Sequence, residues 1–152
     1  MLVRMGRQPT VERTDVVALA FRLAATVRRE FASRMVDEHW ARDANLRPGC
    51  FGVLRVVERA SGPMSQRDVS ERMSIDPSDV VDLVDRLETA GYLRRRRDER
   101  DRRRYALEVT EAGREAIERF AGVARAVDDA VLAVLEPAQR ETLRTLIQRV
   151  VD

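Results

Sequence analysis

Positions 94–104 hold eight Arg against three acidic residues, from Arg94 to Arg104 with Asp98, Glu99 and Asp101 between them, a local net charge of +5. The whole chain carries +2, which leaves −3 on the other 141 of its 152 residues. All 28 basic residues are Arg; there is no Lys. A planar guanidinium forks onto a phosphate or a guanine edge and is weakly hydrated, so it enters a narrow groove cheaply. A run of charge is commonly just a solvated loop. Here the run follows a helical pattern and precedes an alternating strand, a setting that favours nucleic-acid binding. Other chemistry finds no support. There is no Gly-rich phosphate cradle, no Ser/His/Asp spacing and no carboxylate pair in a pocket context, so no enzymatic role is expected. One Cys and one His exclude an internal disulfide and an intrachain structural zinc site, and no cofactor is expected.

The elements that position this segment follow from apolar periodicity. Residues 1–12 read as a loose arm. Val16, Leu19, Leu23, Val27, Phe31 and Met35 recur at three- and four-residue steps and predict one long helix from Asp15 to about Trp40, with Thr14 as N-cap. After a connection over 43–49, a second helix runs from about Cys50 to Ala60 and buries Phe51, Leu54 and Val57. Ser65 and Asp68 form a capping box that opens a helix through Met73. Asp76, with Pro77 behind it, opens another that buries Val80, Leu83, Val84 and Leu87 and ends at Gly91. These two short helices, joined by Ser74-Ile75, make a helix-turn-helix. Residues 92–97 and 105–110 read as a hairpin whose tip, 98–104, is a wing. Long apolar stripes return over 111–135 and 137–151. With the first helix they carry more apolar face than a winged-helix core could cover, so a second copy is expected to bury it.

The expected fold is mainly α (α+β), a single domain over 1–152. The winged helix-turn-helix lobe is 46–110, with a two-stranded β-wing, and the long N- and C-terminal dimerisation helices are 13–45 and 111–152. No stretch approaches the length of an apolar membrane span, and Met1–Thr10 has no apolar core of a secretory signal, so a cytoplasmic protein with no membrane partner is expected.

Two blocks carry a resemblance. Asp101-Arg102-Arg103 followed by Val109-Thr110-Glu111-Ala112-Gly113, and the segment from Val84 to Leu93, resemble the MarR family of bacterial transcriptional regulators. That family shows Asp-x-Arg in its wing and Leu-Thr-x-x-Gly at the strand-to-helix junction; Val109 replaces the Leu here. The resemblance covers nearly the whole chain. It implies a homodimer on a pseudo-palindromic operator in double-stranded DNA, usually repressing, and often released by a small aromatic or phenolic effector.

The second helix of a helix-turn-helix enters the major groove. Ser78, Asp79, Val81, Asp82 and Arg86 are therefore the candidate readers. The set is unexpectedly acidic. A carboxylate can accept from cytosine N4 and Val81 can touch a thymine methyl; equally, Asp79 and Asp82 can serve only the helix dipole. The resemblance places Arg103 in the minor groove, with Arg102 and Arg100 beside it and Arg104 on phosphates. Arg95 and Arg97, and also Arg55 and Arg67, are candidate phosphate contacts; for the latter two a solvated surface role weighs equally.

For an effector pocket the candidates are His39, Trp40 and Phe51, near where the family lodges ligands; a core role for Trp40 and Phe51, and a surface one for His39, is the competing reading. Two alternatives remain beside the regulator. One is a winged-helix module acting through protein contacts. The other is redox sensing at Cys50, whose thiol pKa the helix N-terminus and Arg47 would lower, although the family's peroxide sensors carry their Cys inside the first helix.

Overall fold

The computed structural model describes residues 15–97 and 105–151. Four expected wing contacts, Arg100, Arg102, Arg103 and Arg104, lie outside the described residues, as do Thr14 and the 1–12 arm.

Helix α1 spans Val16–Asp37, and its N-cap is Asp15, whose Oδ1 accepts from the Ala18 N–H at 2.8 Å. It does not continue to Trp40. Glu38 is extended (φ −87°, ψ 103°), and a short α2, His39–Asp43, follows. The break has a physical return. The Glu38 carboxylate accepts from Trp40 Nε1 at 2.7 Å, the Trp40 ring stands edge-on to Phe120 at 4.8 Å, and Ala41 becomes fully buried. These contacts replace helix hydrogen bonds that a straight continuation would keep.

Helix α3, Pro48–Glu58, starts two residues earlier than expected, because Pro48 suits the first helical position. Cys50, Val53, Leu54 and Val57 are buried, whereas Phe51 is only partly so. Helix α4 is Gln66–Met73. Its capping box is reciprocal: the Asp68 N–H donates to Ser65 Oγ and the Ser65 N–H to Asp68 Oδ2 at 2.7 Å. Ser74 turns the chain in the left-handed region (φ 52°). Asp76 then caps α5, Pro77–Thr89, by accepting from the Ser78 N–H at 2.8 Å. Val80, Leu83, Val84 and Leu87 are buried along one face of α5, as the i, i+3, i+4, i+7 spacing requires. Gly91, at φ +75°, closes the helix: the Tyr92 N–H reaches back to the Leu87 carbonyl at 2.8 Å.

Strands β1, Leu93–Arg97, and β2, Tyr105–Val109, pair antiparallel with Leu93 opposite Val109 and Arg97 opposite Tyr105. Leu93, Leu107 and Val109 face the core, and Tyr105 is half exposed at the outer end. Met64 bridges to Leu107 and ties the ladder to the segment before α4.

The Val-Thr-x-x-Gly junction now has a geometric meaning. Thr110 Oγ accepts from the Gly113 N–H at 3.0 Å and donates to the Gly91 carbonyl at 2.6 Å. A Cβ on Gly113 would lie 2.1 Å from the Tyr92 carbonyl oxygen, so only glycine lets the next helix approach. That helix, α6, is Glu111–Val131, four residues shorter than expected, and buries Ala116, Ile117, Phe120, Val123 and Val127 along one stripe, lying against α1. Helix α7, Pro137–Val151, buries no residue at all. No helix among the described residues is long and apolar enough to cross a membrane.

Candidate nucleic-acid interface

Helix α5 stands on the surface of the lobe with Ser78, Asp79 and Val81 turned outward; Val81 is 45% exposed, a high value for an apolar side chain. The Ser78 hydroxyl donates to Asp76 Oδ1 at 2.6 Å. The remaining two expected readers, Asp82 and Arg86, are bound to each other. Arg86 Nε and one terminal nitrogen donate to the two Asp82 carboxylate oxygens at 2.9 and 3.0 Å, and its other terminal nitrogen donates to the Asn45 carbonyl at 2.8 Å. Arg47 adds a second cation 3.2 Å from Asp82. The Arg86 hydrogen bonds, aided by the charge of Arg47, hold the Asp82 carboxyl below the usual carboxylate range. Asp82 is thus a bonded partner of two guanidinium groups in this structure.

The Arg run divides in the same way. Arg95 folds inward: its guanidinium pairs with Glu88 and reaches Asp85 Oδ1 at 2.5 Å, and its N–H donates to Glu88 Oε1 at 3.2 Å. Its side chain is only 23% exposed, so the geometry sets it apart from a phosphate contact. Arg94 forks onto Glu108 across the hairpin at 3.0 and 2.7 Å, and Arg96 lies 4.0 Å from the same carboxylate. Arg97 is exposed at the end of β1. The hairpin root is therefore largely neutralised by Glu88, Asp85 and Glu108. Arg55 pairs with Glu58 at 3.4 Å, and Arg67 with Glu71 at 2.9 Å on an open helix face.

The Asp82–Arg86 pair was readable in sequence as an i,i+4 couple. Arg47, Asn45 and the Arg95–Glu88 contact were not, because they join residues of different elements.

Behind this surface lies a cleft of about 400 Å³ lined by α1, α3 and α6 residues that include Arg28, Phe31, Pro48, Phe51 and Asp128. The three expected pocket residues are not brought together. Phe51 lines the cleft and stacks on Phe31 and Phe120 at 6.1 and 5.5 Å. Trp40 packs edge-on against Phe120, and neither it nor His39 lines the cleft. His39 is exposed, with Nδ1 accepting from Arg42 at 2.6 Å. Cys50 is fully buried. Burial pushes its thiol pKa up and outweighs the Arg47 N–H and the neighbouring guanidinium charges, so the lowering expected from Arg47 does not prevail.

A capped helix pair, an outward second helix and an Arg-edged hairpin define a winged helix-turn-helix protein. The sequence profile of the MarR family matches residues 44–104. A regulator from Thauera aromatica, described as a putative transcriptional regulatory protein for the hcr operon, is 35% identical over 102 residues; the match spans 67% of this chain and 61% of that protein's length. The structure of the Mycobacterium tuberculosis MarR-family protein Rv2887 in complex with DNA superposes with a TM-score of 0.69 at 23% identity, covering 90% of this chain and 98% of that one. CouR from Rhodococcus jostii, solved with p-coumaroyl-CoA bound, superposes with a TM-score of 0.68 at 25% identity, covering 90% and 92%. The chain belongs to the MarR family.

Proposed function

We propose that this protein is a homodimeric, sequence-specific DNA-binding transcriptional regulator that represses from a pseudo-palindromic operator and responds to a small ligand. The observation that carries the reading is the outward face of α5 standing beside a hairpin segment, 94–104, whose excess positive charge is all Arg. In this reading 46–110 is the DNA-binding lobe. Ser78, Asp79 and Val81 meet base edges, and Arg97 with Arg100, Arg102, Arg103 and Arg104 supplies phosphate and minor-groove attraction. Arg55 and Arg67 lie at the edge of this footprint. A relative named as a transcriptional regulator and a structural neighbour solved with DNA support the reading.

The helical segments 13–45 and 111–152 form the dimer. Val16, Val17, Leu19 and Phe21 on α1 and Leu146, Ile147, Val150 and Val151 on α7 are all exposed in the single chain, a surplus that a partner copy would bury. The cleft at Phe51 is the effector site. Its walls are largely apolar and its charged members are Arg28 and Asp128, a lining that suits an aromatic acid or phenol. The ligand-bound neighbour CouR supports a ligand-responsive reading.

Selection of bound duplexes from a random pool, followed by titration of the recovered sequence and a scrambled control across a salt series, tests the function. We expect a two-fold symmetric sequence and binding that weakens steeply with salt. Salt-insensitive or absent DNA binding would instead favour the acidic α5 face as a protein-docking surface.

A further inference from the structure

Arg86, Asp82, Arg47 and the Asn45 carbonyl form a closed ionic network between α5 and the corner that joins α2 to α3. Arg86 spends three nitrogens on it, two on Asp82 and one on Asn45, a residue 41 positions earlier in the chain. Its side chain is 19% exposed. A base-reading Arg must offer an open fork to the guanine edge; this fork is filled by a carboxylate. An isolated i,i+4 pair would stabilise only its own helix, by a few tenths of a kcal/mol. The reach to Asn45 and the second cation from Arg47 turn the pair into a tie between elements. Below it, Gly49 packs so tightly on α5 that a Cβ there would lie 2.9 Å from Leu83 Cδ1. The same corner supplies Pro48 and Gly49 to the cleft at Phe51. A single corner thus touches both the cleft and the recognition helix.

We propose that Arg86 is a positioning residue and not a base reader: with Asp82 and Arg47 it fastens α5 to the α2–α3 corner and fixes where the recognition helix stands relative to the cleft. The tie itself rests on geometry alone; its consequence for DNA rests on the regulator reading above.

Cys50, the chain's only thiol, supplies the readout. It lies fully buried at this corner and within the electrostatic reach of Arg86, Asp82 and Arg47. Native protein is treated with dithionitrobenzoate and the labelling rate followed, with thermal melting as a check on folding. Because labelling of a buried thiol requires local opening, Arg86→Gln should raise the rate roughly tenfold, the scale of losing hydrogen bonds to a charged group. Arg47→Gln should raise it less, and Arg67→Gln, which breaks the separate pair with Glu71, should leave it unchanged. If Arg86→Gln does not fold, Arg86→Lys replaces it, since a lysine keeps the charge and cannot span Asp82 and Asn45 together. On a selected duplex and its single-base variants, the Arg86 variant should lose affinity evenly. A wild-type labelling rate in the Arg86 variant, or a loss confined to one base pair per half-site, overturns the proposal. A wild type that binds no duplex defeats the regulator reading, and the labelling rates then decide the tie without it.

Discussion

Glu88 on the recognition helix holds Arg95 at the root of the hairpin through both its side-chain oxygens, one taking the Arg95 N–H and the other the guanidinium. Helix and hairpin are therefore joined by charge as well as by the turn at Gly91, and the Arg run is split between the inward Arg95 and the exposed Arg97.

The split makes two Arg substitutions behave differently. We expect Arg97→Ala to weaken binding to every duplex alike and to lower the salt slope by about one per lost phosphate contact. Arg103→Ala should cost roughly 1–3 kcal/mol, concentrated at A·T-rich flanks. Arg95→Gln should lower the melting temperature while leaving the salt slope near that of the wild type. Titrations across a salt series, paired with thermal melts, check all three; a fall in slope for Arg95→Gln equal to that for Arg97→Ala would show that Arg95 leaves Glu88 to meet DNA.

The dimer follows from α7, which buries nothing within its own chain. Light scattering at micromolar concentration should give twice 17.4 kDa, with an interface above about 2,000 Å² in total. Leu146 is 51% exposed in the single chain, so Leu146→Asp should spare the fold of the chain and split the dimer, because the charge would be buried only in the assembly. Scattering of this variant at the wild-type mass would place the interface elsewhere.

Gly113 offers a sharp test of the strand-to-helix junction. Gly113→Ala forces a Cβ against the Tyr92 carbonyl, and we expect a loss of about 3 kcal/mol, the upper end for overpacking. Chemical denaturation measures it. A cost below about 1 kcal/mol would mean that α6 shifts away easily and that the junction is not rigid.

Two carboxyls should make stability depend on acid. Hydrogen bonds from Arg86 hold Asp82 low, and those from Arg94 hold Glu108 low. A pKa depressed by folding adds stability above the ordinary carboxylate value, which is lost as pH falls through the depressed value. The melting-temperature deficits of Asp82→Asn and Glu108→Gln should therefore be full at neutral pH and should shrink below about pH 4. A deficit that persists at pH 2 would assign it to packing.

Much of the lobe was legible because its signals are local. Ser65 with Asp68, Asp76 with Pro77, and Gly91 each fix a helix end through neighbours a few residues away, and the α5 stripe needs only the helical period. The break at Glu38 was hidden because its compensation comes from Phe120, far along the chain. The Arg95–Glu88 pairing was hidden for a related reason. Four consecutive Arg residues look alike in sequence, and only the strand register and the position of α5 decide which one meets Glu88. Phe51, His39 and Trp40 were grouped by where the resemblance lodges ligands, but the helix break carries Trp40 against Phe120, and of the three only Phe51 lines the cleft.

That same break gives the protein an optical gauge of its own state. Trp40 is the only indole in the chain. Its N–H is held by Glu38 and its edge rests on Phe120, whose ring stacks with the Phe51 that lines the cleft. Anything that displaces Phe51 is passed through one ring to the fluorophore. Emission from unlabelled protein should therefore shift when the cleft fills, and Phe51→Leu should mute that shift while leaving the spectrum of the empty protein nearly unchanged.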